Sequence, residues 1–136
     1  MADAGKTAAL LGFDGFVPQR APIDAYGNGG FRFAGMSHRG SLLALADGMH
    51  AWEMGALLTP PDFDAPLSAV LGRLEEPQFL LFGTGAKQIF PEARLRAAFL
   101  ERRIGFEVMD TGAACRTYNV LLAEGRPVAA ALMAVG

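Results

Sequence analysis

Two rhythms of apolar positions run along the chain, one of period two and one near 3.6, and they favour different halves. In the first half, IDAYG (23–27) and FRFAG (31–35) alternate on either side of Asn28-Gly29-Gly30. Asn and Gly tolerate positive φ, so this pattern predicts a hairpin. Phe31 and Phe33 flank Arg32, which places both rings on one face of a strand and therefore toward a core. SLLALAD (41–47) and MHAWE (49–53) are two further short runs, broken at Asp47-Gly48. Together, residues 23–54 predict an antiparallel meander.

The second half changes period. Pro60, Pro61 and Pro66 bound a loop, after which Leu67, Val70, Leu71 and Leu74 recur with helical spacing. Phe79–Phe82 is continuously apolar, as suits a strand buried on both faces. Pro91–Ile104 reads as a helix with Leu95, Ala98 and Phe99 on its inner stripe. Pro91 suits the helix start, and Gly105 is expected to end it. Phe106–Met109 predicts a strand. Thr111 is expected to cap a helix running to Ala123 and ending at Gly125, and residues 127–135 predict a last strand. The result is a β-α-β-α-β alternation, which requires a sheet with helices packed on it. Residues 1–22 read as a loosely ordered lead-in with a short strand near Leu10–Phe13. Residues 23–136 read as one domain.

Composition narrows the class. The chain has 136 residues, 51% hydrophobic and 19% charged, which fits one globular domain with a sizeable core. The net charge of −2 argues against a general nucleic-acid binder. Cys115 is the only cysteine, and His38 and His50 are the only histidines, so neither a disulfide nor a Cys-based metal site is expected. No apolar window approaches a membrane span, and the opening residues make a weak secretory signal. The expectation is a cytoplasmic protein.

Candidate chemistry centres on FLLFGTGAKQIFP (79–91). Strand, glycine turn and helix outline a phosphate cradle, and Asp110 stands where a ribose-binding acid would fall. Against this, Gln88 occupies the third-glycine position, and the helix starts well after the turn. A tight structural turn is the competing reading. Cys115 has no histidine nearby in sequence to activate it, and the carboxylates Glu75, Glu76, Asp62, Asp64 and Glu107 read as solvated. Arg116, Thr117, Tyr118 and Asn119 supply more hydrogen-bonding groups than a purely structural helix requires. With Gly83, Thr84 and Gly85 they form a candidate pocket for an anionic small molecule. Arg94, Arg96, Arg102 and Arg103 form a second candidate surface, for an acidic protein or an anionic membrane. Glu92 and Arg96 are spaced to pair on that helix. Trp52 reads either as core filler or as an anchor for a partner.

Several segments taken together carry a resemblance: R-G-S-L-L (39–43), L-L-F-G-T-G (80–85), G-F-E-V-M-D-T (105–111), and A-C-R-T-Y-N-V-L-L-A-E-G-R-P-V (114–128). Over residues 23–135 the chain resembles a family of small domains that includes the mitochondrial NADH-ubiquinone oxidoreductase (complex I) assembly factor 3 and the adipogenesis-associated domain protein of animals. That resemblance implies an α/β fold: a single three-layer domain, a mixed β-sheet flanked by helices, with an antiparallel β-meander added. It implies no catalytic residue and no cofactor. For function it implies a non-catalytic accessory factor acting through protein contacts in respiratory complex I biogenesis, at the periphery of the inner membrane. The alternative carried by the residues themselves is the small-molecule site at Gly83-Thr84-Gly85.

Overall fold

The structure is a computed structural model describing residues 15–53, 60, 62–75 and 78–136. The strand expected near Leu10–Phe13 lies outside the described residues. Strands β2 (Ile23–Gly27) and β3 (Gly30–Phe33) form the expected hairpin. Its turn residues Asn28 and Gly29 have φ of 51° and 80°, the pair of positive values a type I′ turn demands. With β4 (Met36–Arg39) they make a three-stranded antiparallel sheet.

The meander does not continue past this point. Gly40, at φ 103°, turns the chain out of the small sheet. The next strands, β5 (Ser41–Leu45) and β6 (Gly48–Trp52), belong to a second, six-stranded sheet. The reason lies in burial: Leu42, Leu43, Ala44 and Leu45 are all buried, so β5 needs cover on both faces. Within the presumed lead-in, β1 (Phe16–Val17) pairs with the outer edge of β6.

Strands β7 (Phe79–Gly83), β8 (Gly105–Met109) and β9 (Val128–Leu132) complete the sheet in the order β1-β6-β5-β9-β7-β8. β9 runs antiparallel to β5 and parallel to β7, and β7 runs parallel to β8. The connection from β7 to β8 passes through α2 (Ala93–Glu101), and that from β8 back to β9 through α3 (Thr111–Ala123). The two connections step in opposite directions along the sheet, so the right-handed crossover rule sends their helices to opposite faces. α2 and α1 (Asp64–Leu71) accordingly bury Leu67, Val70, Leu95 and Phe99 against Leu43, Leu80, Phe82 and Ala131. α3 and the small sheet bury Ala114, Tyr118, Phe31 and Phe33 against Leu42, Ala44, Leu81 and Ala130. This is the three-layer α/β architecture expected, with the antiparallel addition covering part of one face.

Trp52 is core filler. It is 7% exposed, and its ring meets Phe82 edge-on, as Phe63 does with centroids 5.0 Å apart. In the middle strand, Ala129, Ala130 and Ala131 are fully buried, which lets bulky rings and α3 approach the sheet from both sides.

Helix ends depart from expectation in three places. α1 starts at Asp64, so Pro66 falls in its first turn, where no N–H is needed. α2 starts after Glu92 and ends at Glu101, and the residue in the left-handed region is Arg103 (φ 59°), not Gly105. Arg103 N–H donates to Leu100 C=O at 2.9 Å and Ile104 N–H to Phe99 C=O at 3.0 Å, a Schellman pair. Gly105 serves packing instead, because a Cβ there would stand 2.4 Å from the Phe79 ring. α3 is capped by Asp110, whose carboxylate accepts from Ala113 N–H at 2.8 Å, leaving Thr111 as its first helical residue. Gly125 (φ 73°) ends α3 as expected.

Candidate functional site

In a sheet whose successive connections leave toward opposite faces, ligands ordinarily sit beyond the carboxyl ends of the strands where the direction changes. Here that point lies between β7 and β8, where Gly83, Thr84 and Gly85 follow β7. The chain fills it with its own groups. Thr111 Oγ1 donates to Met133 C=O at 2.7 Å and accepts from Gly85 N–H at 2.9 Å. Thr111 N–H returns a bond to Gly85 C=O at 2.8 Å, and Thr84 N–H reaches Met109 C=O at 2.9 Å. Thr84 Oγ1 donates to Lys87 C=O and accepts from Ile89 N–H. Gln88 donates through its side-chain amide to Val108 C=O at 2.9 Å, which ties the loop to β8. A Cβ on Gly83 would stand 3.0 Å from Thr111, so that glycine permits close approach of α3 rather than of a phosphate. Thr84 and Thr111 are 2% and 0% exposed. Asp110 has its capping bond, and Gly85 N–H, the group a cradle would aim at an anion, is turned inward.

The R-T-Y-N run also looks inward for the most part. Tyr118 is fully buried and donates its hydroxyl to Ala21 C=O at 3.0 Å. Asn119 accepts from Ile23 N–H and donates to Ile23 C=O, both at 2.8 Å. Thr117 Oγ1 donates to the Met109 sulfur at 3.7 Å. The surplus of hydrogen-bonding groups noted in the sequence staples residues 21–23 to α3. Gly83–Gly85 therefore gather on Thr111, whereas Arg116 and Asn119 line a different cleft, about 360 Å³ in volume, between α3 and β2.

That cleft has two walls. Gly112, Cys115, Arg116 and Asn119 fall at i, i+3, i+4 and i+7 and form one stripe of α3. Ile23, Asp24, Ala25 and Tyr26 form the other. The β2–β3 register shifts between Ile23 and Ala25, a bulge that takes Asp24 out of the ladder. A Cβ on Gly112 would stand 2.3 Å from the Tyr26 hydroxyl, so the missing side chain lets Tyr26 lean on the start of α3. Cys115 is 4% exposed, and burial pushes its thiol up to about 12, which leaves it protonated and unsuited to nucleophilic attack. Sequence reasoning missed Asp24 and Tyr26. The sequence carried no signal for them, since Ile23-Asp24-Ala25-Tyr26 alternates like an ordinary strand and the bulge shows only in the pairing register.

The arginine helix divides by partner. Arg94 pairs with Asp64 of α1 and with Glu92 at 3.2 Å, so Glu92 serves Arg94 rather than Arg96. The Arg96 guanidinium instead lies 5.9 Å from the Phe90 ring centre and 6.0 Å from that of Phe106. Arg102 is half-buried. Arg96 and Leu100 fall at i and i+4 on the outer side of α2, and Arg103 is exposed just beyond its end. Leu100 is 76% and Phe90 58% exposed.

His50 adds no base to this inventory. Its Nδ1 lies 3.1 Å from Arg73 and its Nε2 2.7 Å from Asp47. A guanidinium only donates, so Nδ1 accepts and Nε2–H donates, and both nitrogens are occupied. The hydrogen bond from His50 in turn holds the Asp47 carboxyl below the usual carboxylate range.

A mixed six-stranded sheet between helices, with a small antiparallel sheet added and the turn after β7 filled by Thr84 and Thr111, defines a small α/β domain. The chain belongs to the family described as protein of unknown function DUF498/DUF598, whose pattern it matches over residues 23–133. It is 41% identical to an uncharacterized protein of Rhodobacter capsulatus, over 82% of this chain and 83% of that one. It is 32% identical to the mouse NADH dehydrogenase [ubiquinone] 1 alpha subcomplex assembly factor 3, over 85% of this chain but only 62% of that protein's length. A crystal structure from Bartonella henselae, titled as an outer membrane protein, superposes with a TM-score of 0.77 at 50% identity, covering 88% of this chain and 98% of that one. Among the described residues no helix is long and apolar enough to cross a membrane.

Proposed function

We propose that this chain is a non-catalytic accessory factor that assists assembly of a membrane-bound respiratory complex through protein contacts, working from the cytoplasm at the periphery of the inner membrane. The observation that carries this reading is the 32% identity to a complex I assembly factor across 85% of the chain. The contact surface we assign is the outer side of α2 together with the residues that flank it. It combines two exposed apolar side chains, Phe90 and Leu100, with Arg96 and Arg103 and no carboxylate paired to either arginine among the described residues. Exposed apolar groups framed by arginine are what interface centres favour, and the partner face would be acidic with an apolar centre.

Affinity capture from detergent-solubilised membranes tests this. The tagged chain should recover respiratory complex subunits, and Arg96→Glu with Arg103→Glu should reduce recovery at least about tenfold, the loss expected for two reversed interfacial charges. The melting temperature should hardly move, since both side chains lie outside the cores. Undiminished recovery by the double variant removes α2 from the account. Recovery of no respiratory subunit by the wild-type chain removes the assembly role.

A further inference from the structure

We propose that the cleft between β2 and α3 binds a small zwitterion of the α-amino-acid class, with its carboxylate at Arg116 and its ammonium at Asp24. Several independent features hold the cleft in shape. Asn119 grips both the backbone N–H and the C=O of Ile23 at 2.8 Å. The bulge beyond Ile23 sends Asp24 out of the sheet ladder, and bulges recur beside binding sites because they re-aim a side chain in this way. Tyr26 leans on Gly112, where a Cβ would collide with its hydroxyl. The volume, about 360 Å³, lies at the small end of the range for small-molecule sites.

Charge selects the ligand class. The facing walls carry one carboxylate and one guanidinium, and neither Asp24 nor Arg116 enters an ion pair among the described residues. A ligand of one sign would be attracted by one wall and repelled by the other. A ligand carrying both signs satisfies the two walls together, each through a charge-assisted hydrogen bond, and the arginine can hold a carboxylate bidentately. Below the charges the lining is apolar: Ile23 is 5% exposed and Cys115 4%. That floor suits the alkyl part of an amino acid. This inference is independent of the α2 contact surface, which lies on the layer packed against the opposite face of the sheet.

The test titrates isotope-labelled full-length chain with L-alanine, L-serine and L-leucine, followed by amide NMR. Isopentylamine and 4-methylpentanoate serve as single-charge counterparts of leucine. At least one amino acid should shift the amides of Tyr26, Gly112 and Asn119 saturably, and each counterpart should bind at least about tenfold more weakly, as expected when one charge-assisted hydrogen bond is lost. Asp24→Asn and Arg116→Gln should each weaken binding by a similar factor. Both residues are exposed, so their spectra should otherwise match the wild type. Three results overturn the proposal: no saturable shift at these amides with any of the three amino acids up to millimolar concentration, counterparts that bind as well as leucine, or binding unchanged in both variants.

Discussion

At the scale of single residues, Arg103 stands out. A non-glycine residue in the left-handed region costs about 1 kcal/mol relative to glycine, and the Schellman turn that closes α2 would accept glycine without loss. Arg103→Gly should therefore raise stability by about 1 kcal/mol in urea unfolding. If Arg103 is retained for a contact, the same variant should recover less partner in membrane capture, so stability and function would move in opposite directions. A second residue-scale prediction concerns alkali. Burial raises the Cys115 thiol from 9.0 to about 12 and the Tyr118 hydroxyl from 10.0 to about 12. Both groups are protonated in the fold, and both would ionise more readily in the unfolded chain. Their contribution is thus fully present below about pH 9 and lost as pH climbs from there toward 12. The melting temperature should fall across that window, and less steeply in Cys115→Ala.

At the scale of elements, the staple between α3 and the start of β2 is the most exposed to test. Asn119→Ala strips the Ile23 N–H and C=O of their partners together, and leaving such groups unpaired should cost about 2 kcal/mol. Hydrogen exchange at Ile23 should speed up well before that of β5 or β7. Elements whose evidence is local were legible in the sequence. The Asn28-Gly29 turn, the 3.6 period of α2 and the glycine after α3 announce themselves within a few residues. Membership of a sheet does not. β5 and β6 read as neighbouring strands joined by the Asp47-Gly48 turn, yet β5 also pairs with β9, as in Leu42 with Leu132, and nothing local to residues 41–45 names that partner. Capping rules chose a residue of the right kind one position away at Thr111, because Asp110 was free to cap and the threonine hydroxyl was drawn to Met133 and Gly85. Of the cleft, Arg116 and Asn119 could be found because the R-T-Y-N run gathers more hydrogen-bonding groups than a structural helix requires. Asp24 and Tyr26 could not, because the sequence keeps its alternation through a bulge that changes which face the following residues present.

At the scale of the molecule, one sheet serves two cores. Trp52 reports on the side of α1 and α2, and Cys115 on the side of α3. Both sides rest on the same strands, so tryptophan fluorescence and cysteine alkylation should give one common denaturation midpoint. Phe82→Ala, which removes the ring meeting Trp52, Phe63 and Phe106, should lower both midpoints together, with a loss of about 3 to 5 kcal/mol. Separated midpoints would show two independent cores. The position of β9 reaches beyond equilibrium. A ribosome must translate as far as Leu132 before the strand between β5 and β7 exists. Until then both neighbours present bare, apolar edges, of the kind that invite mispairing with other nascent chains. Productive folding of the sheet thus waits on β9, and polypeptides truncated before Val128 should aggregate or be degraded rather than form a partial domain.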